Sequence, residues 1–144
     1  MKILAHFDGA CEPTNPDGNM GMGVHIVDDE GNILLEYSEY ILAKIGNTNN
    51  VAEYLALKEA LSFLSQEKYK DCEIICKGDS MLAIKQMNGL WQIHKGEYKP
   101  HAEECKELIK FFSNIKFEHV KREFNTIADN LSKKKLLEHI NANR

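Results

Sequence analysis

The chain changes its hydrophobic period once, after about 40 residues, and this change restricts the folds it can adopt. Three apolar runs come first, "KILAHF", "GMGVHIV" and "NILLEYSEYIL", and "DDEGN" separates the last two. Asp and Gly in so short a connection are typical of a tight hairpin, which predicts an antiparallel meander of three strands. After the polar stretch "KIGNTNN", apolar residues recur at helical spacing, which predicts a helix running to about Gln66.

The second half of the chain alternates helices and strands. "CEIICK" and "IKFEHV" read as strands, and "SMLAIKQM", "HAEECKELIKFF" and "TIADNLSKKKLLEHI" read as helices. The element order is βββαβαβα, and a meander followed by αβ units predicts an α/β fold, with a five-stranded mixed sheet flanked by helices. A length of 144 residues is common for one domain, so we expect residues 1–144 to form a single domain.

Composition narrows the class of protein. No apolar run approaches the roughly 18 residues of a membrane span, and "MKILAHFDGA" is too short and too soon charged for a secretory signal, so we expect a cytoplasmic protein without a membrane partner. The four cysteines form no CxxC pair, which favours reduced core thiols over a zinc site. Residues 1–76 carry 13 Asp/Glu and 5 Lys/Arg, whereas residues 77–144 carry 9 and 13, so a polyanion would meet one basic side.

Four acidic residues stand where apolar side chains or caps are expected. Asp8 ends an apolar strand, and Glu53 shares its helix stripe with core positions, in what we expect to be the first turn. Asp79 follows a strand, and Asp129 lies in the first turn of the last helix. Each has a structural alternative: a favourable helix dipole for Glu53, an N-cap for Asp79 and an ion pair with Lys133 for Asp129.

Taken together, the four carboxylates predict a metal site. If the strand ends and helix starts meet at one rim, the like charges need a counter-charge, which divalent cations supply. Oxygen-only ligands suit Mg²⁺ or Mn²⁺, and two such ions balance four carboxylates. A pair of metals is the arrangement that activates water and stabilises the leaving oxygen in phosphodiester hydrolysis.

Four stretches, in order, carry a resemblance: "FDGACEPTNP", "NTNNVAEYLALKEAL", "IICKGDSMLAIKQMNG" and "VKREFNTIADNLSK". Over nearly its whole length the chain resembles the type 1 ribonuclease H family. The resemblance implies a ribonuclease H-like fold and an endonuclease that hydrolyses the RNA strand of RNA/DNA hybrids, by two-metal-ion in-line attack of water. The expected cofactor is a pair of Mg²⁺ ions, with Mn²⁺ as a substitute, and the expected partner is the hybrid duplex, bound by a monomer.

The resemblance also implies residue roles. Asp8, Glu53, Asp79 and Asp129 would be both catalytic and metal-binding, with Asp8 bridging the two ions, Asp129 on the nucleophile side, and the other two on the leaving-group side. Only RNA offers 2'-hydroxyls for a site to read. The expected substrate contacts are Gly9, Cys11, Asn15, Asn49, Asn50, Ser80, Arg122 and Asn125. For the asparagines, turn and helix-cap roles remain the structural alternative.

The chain departs from the family pattern in the loop before the last aspartate. Many cellular members carry a histidine there, whereas this loop reads "KREFNTIAD". Its form resembles archaeal and some bacterial members, so Arg122, Glu123 or Asn125 would order the loop or touch the scissile phosphate. His119 precedes the loop and is expected in a strand, as a packed or surface residue.

Two further departures concern the substrate. Where larger members insert a basic helix, this chain has only "LWQIHKGEYKP", in which Lys95 and Lys99 with Trp91 and Tyr98 would form a small stacking and phosphate patch. Met81 stands where many relatives have a polar residue. Two alternatives stay open: an enzyme that also cleaves double-stranded RNA, and a catalytically weak module that binds hybrids.

Overall fold

Strands form where the apolar alternation predicts them. The computed structural model describes residues 1–143. Its strands are β1 (Lys2–Glu12), β2 (Asn19–Asp28), β3 (Ile33–Ile41), β4 (Glu73–Gly78) and β5 (Asn114–His119). They form one sheet in the order β3-β2-β1-β4-β5. The first three strands are antiparallel neighbours, β4 is parallel to β1, and β5 is parallel to β4. The predicted five-stranded mixed sheet is therefore confirmed.

Four helices flank this sheet. They are α1 (Asn49–Leu64), α2 (Met81–Met87), α3 (Lys99–Ile109) and α4 (Thr126–Ala142), with 3₁₀ turns at Glu67–Tyr69 and Arg122–Phe124. Two separate helices thus lie between β4 and β5, and both were predicted from the sequence. The predicted order βββαβαβα counted them as one, and the observed order is βββαβααβα. Within residues 1–143 every helix is too short or too polar to cross a bilayer.

Local hydrogen bonds set two of the boundaries. At the β2–β3 hairpin, Asp28 Oδ1 accepts the backbone N–H groups of Glu30 and Asn32, both at 2.9 Å, so the hairpin predicted from "DDEGN" is confirmed. Helix α1 begins at Asn49 because the Thr48 side chain accepts the N–H of Val51 at 3.0 Å.

Two glycines let helices touch the backbone of the sheet. A Cβ on Gly9 of β1 would collide with the backbone of Ala52 in α1, and a Cβ on Gly23 of β2 would collide with the carbonyl oxygen of Ala128 in α4. Gly9 pairs with Met22, so Gly9 and Gly23 point to opposite faces. Helix α1 therefore packs directly on one face of the central strands and α4 on the other.

Candidate active site

Asp8 and Asp79 meet because β1 and β4 run parallel. His6 of β1 pairs with Lys77 of β4, so the same register continued by two residues brings Asp79, which directly follows β4, beside Asp8. On its other side Asp8 pairs with Gly23. Asp79 therefore lies at the carboxyl end of β4, the edge where open α/β sheets place ligands. Asp8 lies beside it within β1, because this strand continues to Glu12 and does not end at Asp8 as expected from the sequence.

Glu53 joins them from α1. The close approach of α1 at Gly9 points the Glu53 side chain at the sheet, so that one carboxylate oxygen from each of Asp8, Glu53 and Asp79 lies within 4.8 Å of the other two. Asp8 and Glu53 are only 4% and 3% exposed. Because α1 begins at Asn49, Glu53 lies in its second turn, which corrects the expectation of a first-turn position and weakens the helix-dipole alternative.

Asp129 lies at the border of this cluster. It is in the first turn of α4, as expected, and outside the set of three whose oxygens converge. Its Oδ1 is 3.6 Å from Lys133 Nζ, so the predicted ion pair is present. It is nevertheless close enough to Asp8 that its hydrogen bond and its charge both help to raise the pKa of Asp8.

Burial raises the pKa of two of these acids, Asp8 and Glu53. Desolvation is the main cause that raises the pKa of Asp8 from 3.8 to about 8, and the charge of Asp79 acts in the same direction. Burial likewise raises the pKa of Glu53 well above its usual value, with the Asp8 charge as the next cause, although the Gly9 backbone opposes the rise. Asp79 is part of the same network of like charges.

Two oxygens of the cluster have no hydrogen-bond donor. Glu53 Oε2 and Asp79 Oδ2 are buried without a hydrogen-bond partner, a state that proteins rarely tolerate. Buried carboxylate oxygens that converge on one point, without competing His or Cys ligands among residues 1–143, suit a hard divalent cation. The arrangement therefore fits the metal type expected from the sequence.

A shallow groove opens beside the cluster, and it contains predicted contacts together with His119, which was expected only as a packed or surface residue. His119 is exposed at the end of β5, and its Nε2 lies 3.3 Å from the carbonyl oxygen of Asp79. Arg122 Nε is 3.9 Å from Asp79 Oδ2, and its side chain is 84% exposed. The groove is lined by Asn49, Glu53, Asp79, Ser80, His119, Val120, Lys121 and Arg122.

His119 is a surface residue at this groove because of strand pairing. It pairs with Gly78 of β4, the residue before Asp79. The sequence identifies "IKFEHV" as a strand but carries no local signal for the register in which that strand pairs with β4. The position of His119 next to the acidic cluster was therefore missed.

Three of the predicted substrate contacts have internal roles. Gly9 lies against the backbone of α1, and the absence of a side chain at Gly9 allows this helix to approach β1 closely. Cys11 is 7% exposed, and its thiol donates to the carbonyl oxygen of Thr14 at 3.3 Å. Asn125 is 1% exposed and donates from Nδ2 to the carbonyl oxygen of Phe7 at 2.9 Å. The side chains of Cys11 and Asn125 thus bond to backbone groups within the fold.

The other predicted contacts lie near the groove. Asn49 lines it and Asn50 is exposed at the start of α1. Asn15 is exposed, but its Oδ1 accepts the backbone N–H of Asn49 at 3.1 Å. Ser80 lines the groove and is also the N-cap of α2, accepting the N–H of Ala83 at 3.1 Å. These residues combine structural contacts with access to a ligand.

The two aromatic residues of the expected stacking patch, Trp91 and Tyr98, lie in different environments. Trp91 is 48% exposed, so it is a surface residue. Tyr98 instead stacks on Tyr54, with ring centroids 5.8 Å apart, and its hydroxyl is 3.1 Å from Nε2 of the buried Gln86. Tyr98 therefore anchors the short segment to the core and is not available for stacking on a base.

Comparisons with known proteins agree with this geometry. Residues 6–135 match the family model described as "Reverse transcriptase-like". The chain is 33% identical over 135 residues to Ribonuclease HI of Halobacterium salinarum. This alignment covers 94% of this chain and 64% of that protein. The chain thus spans less than two thirds of the length of that curated relative.

Solved structures show the same architecture. RNase H1 from the halophilic archaeon Halobacterium salinarum NRC-1 superposes with a TM-score of 0.82 at 30% identity, covering 96% of this chain and 99% of that one. LC11-RNase H1, solved in complex with an RNA/DNA hybrid, superposes with a TM-score of 0.80 at 34% identity, covering 93% and 99%. With the fold, the order of the four motifs and these relatives in agreement, the chain belongs to the type 1 ribonuclease H family.

Proposed function

We propose that this chain is a metal-dependent endonuclease that hydrolyses the RNA strand of RNA/DNA hybrids. The observation that carries the proposal is the convergence of Asp8, Glu53 and Asp79 within 4.8 Å at the edge of an open groove. A merely structural cluster would have its buried oxygens satisfied by donors, whereas Glu53 Oε2 and Asp79 Oδ2 have none.

Asp8, Glu53 and Asp79 would hold the cations, with Asp129 as a fourth ligand at the border. Asp79 and Asp129 both lie close enough to Asp8 for their charges to raise its pKa, so Asp8 would be the central member of this ligand set. Two bound Mg²⁺ ions, or Mn²⁺ in their place, would supply Lewis-acid activation of water and stabilise the leaving oxygen. The ion pair between Lys133 and Asp129 would then be exchanged for a ligand bond.

The residues around the cluster would position the substrate. Asn49 and Asn50, at the start of α1, offer amide groups to the 2'-hydroxyls that distinguish RNA from DNA. Arg122, exposed beside Asp79, offers a planar cation for a backbone phosphate. The hybrid bound by LC11-RNase H1 supports this class of substrate. His119 would hold the groove wall through its contact with the Asp79 carbonyl.

The decisive experiment is cleavage of a labelled strand presented as RNA/DNA, RNA/RNA or DNA/DNA duplex, with Mg²⁺, Mn²⁺ or a chelator. We expect cutting confined to the RNA of the hybrid and abolished by the chelator. Asp79→Asn should lose this activity, while Asp28→Asn, in the distant β2–β3 hairpin, should keep it. Added cutting of RNA/RNA would extend the substrate range, and hybrid binding without cutting under any metal would identify a binding module and refute the proposal.

Further parts of the proposal concern the whole molecule. We propose that residues 1–144 act as a single ribonuclease H domain, as a monomer and in the cytoplasm. Sedimentation of the purified chain with and without a hybrid tests the monomer directly.

A further inference from the structure

Three hydrogen bonds join two surface segments beside the active site. The first segment is the loop of residues 13–18 between β1 and β2, and the second is the connection of residues 42–48 between β3 and α1. Of the expected substrate contacts, Asn15 lies within the first segment, and Asn49 and Asn50 directly follow the second. How the two segments are joined therefore sets the spacing of these contacts.

Asn47 is at the centre of the junction. It is 1% exposed, and its Nδ2 donates to the carbonyl oxygens of Gly18, at 2.9 Å, and Leu42, at 3.0 Å. Its own carbonyl oxygen accepts the N–H of Asp17 at 2.7 Å. A buried amide that uses both of its N–H donors on the backbone of two different segments fixes their relative position.

In a second link, side chains of the 13–18 loop accept hydrogen bonds from the backbone of the other segment and of α1. Asp17 Oδ1 accepts the N–H of Gly46 at 3.0 Å, and Asn15 Oδ1 accepts the N–H of Asn49 at 3.1 Å. Asp17 is exposed and has φ of 73°, a left-handed conformation that Asn and Gly adopt more readily than other residues. Asp17 thus accepts an unfavourable backbone conformation in a position that completes the link.

The junction also bears on the acidic cluster. Asn47 precedes Thr48, the N-cap of α1, and the second turn of that helix carries Glu53. A shift of the 13–18 loop relative to α1 would therefore change the distance between Asn15 and Asn49 while Gly9 still holds Glu53 against β1. Such a shift would affect how the substrate is held more than the geometry of the carboxylates.

We infer that Asn47 is a positioning residue for the substrate: with Asp17 it locks the 13–18 loop to the start of α1, so that Asn15, Asn49 and Asn50 present one rigid surface to the nucleic acid. This inference rests on the proposed function. It assigns Asn47 and Asp17 no contact with the substrate or the cations, so their loss should raise KM and leave kcat nearly unchanged.

Three variants test it in the hybrid-cleavage assay with Mg²⁺. Asn47→Ala removes two donors and should raise KM roughly tenfold. Asp17→Gly keeps the left-handed backbone but removes the acceptor for Gly46, and should raise KM roughly threefold. Asp17→Asn keeps both the backbone conformation and an acceptor oxygen, so it should restore a KM close to that of the wild type. Since Asp17 is exposed, its variants should fold even if Asn47→Ala is destabilised.

Asn88→Ala is the matched control, because Asn88 Nδ2 also donates to a backbone oxygen, that of Phe117 at 3.0 Å, but away from both segments. Its KM should not change. Hydrogen exchange gives a second readout, with faster exchange at residues 13–18 expected in Asn47→Ala and Asp17→Gly only.

Two results would overturn this inference without affecting the proposed function, provided that the wild-type protein is active. One is a KM that stays unchanged in both Asn47→Ala and Asp17→Gly. The other is a loss of kcat in these variants at constant KM. Wild-type protein that cleaves no hybrid overturns the proposed function and this inference with it.

Discussion

Replacing the carboxyl group of Asp8 should stabilise the metal-free protein. Because burial raises the pKa of Asp8 from 3.8 to about 8, ionisation opposes folding: the cost is absent below pH 4, grows as the pH rises, and is complete above about pH 8. At about 1.36 kcal/mol per pKa unit, it reaches roughly 4 kcal/mol at pH 7. An amide is also costly to bury, so we expect Asp8→Asn to gain about 2 kcal/mol, which corresponds to a rise in Tm of about 4–8 °C.

Thermal melting with a chelator at pH 7 and pH 4 measures this effect. The gain should be present at pH 7 and vanish at pH 4, where Asp8 of the wild type is largely protonated in the folded state. Asp28→Asn is the control for net charge, because hydrogen bonds in the hairpin lower the pKa of Asp28 and its removal should not stabilise the fold at pH 7. A variant Asp8→Asn that melts below the wild type at pH 7, or that keeps its full advantage at pH 4, would refute the reasoning.

Three other substitutions test how the helices and the groove are held. Gly23→Ala should lower the free energy of unfolding by about 1–3 kcal/mol, measured by denaturant titration, because its Cβ has no space against Ala128. Asn125→Ala leaves the carbonyl oxygen of Phe7 without its donor, so we expect a loss of about 1–3 kcal/mol in the same titration and slower cleavage. Arg122→Ala should weaken hybrid binding and reduce the slope of log K against log salt by about 1, measured by titration at several salt concentrations.

Much of the fold could be predicted because its signals are local. The alternation in β1 buries Ile3, Ala5 and Phe7 on one face, and the turn at Asp28 depends on hydrogen bonds between residues four or fewer positions apart. Each of these patterns is complete within a short window of sequence. The lengths of the connections can be read in the same way, and they predict the antiparallel meander and the parallel placement of β4 and β5.

The site could be predicted only in part, because it depends on contacts between distant segments. Asp8 and Asp79 were visible in the sequence as acids that follow apolar runs. The continuation of β1 past Asp8 to Glu12, and the close approach of α1 and α4 to the strands, were not expected. The spacing of Gly21 and Gly23 in "NMGMGV" was the available signal, since glycines on one face of a strand often mark a close backbone approach. The roles of Asn47 and Asn125 depend on backbone partners 29 and 118 residues away, for which a single sequence has no signal.

The same packing that stabilises the fold makes its acidic cluster costly. Gly9 and Gly23 allow α1 and α4 to lie on the strand backbone, and this contact excludes water from Asp8 and Glu53. The resulting cost of ionisation is local to the cluster. In the β2–β3 hairpin, by contrast, hydrogen bonds lower the pKa of Asp28, another acid of the same chain. A cation that binds the folded cluster and not the unfolded chain would remove this cost and add stability in proportion to its affinity. The cost of ionising these buried carboxylates without a cation is therefore the physical reason that they favour a bound metal over a role in the structure alone.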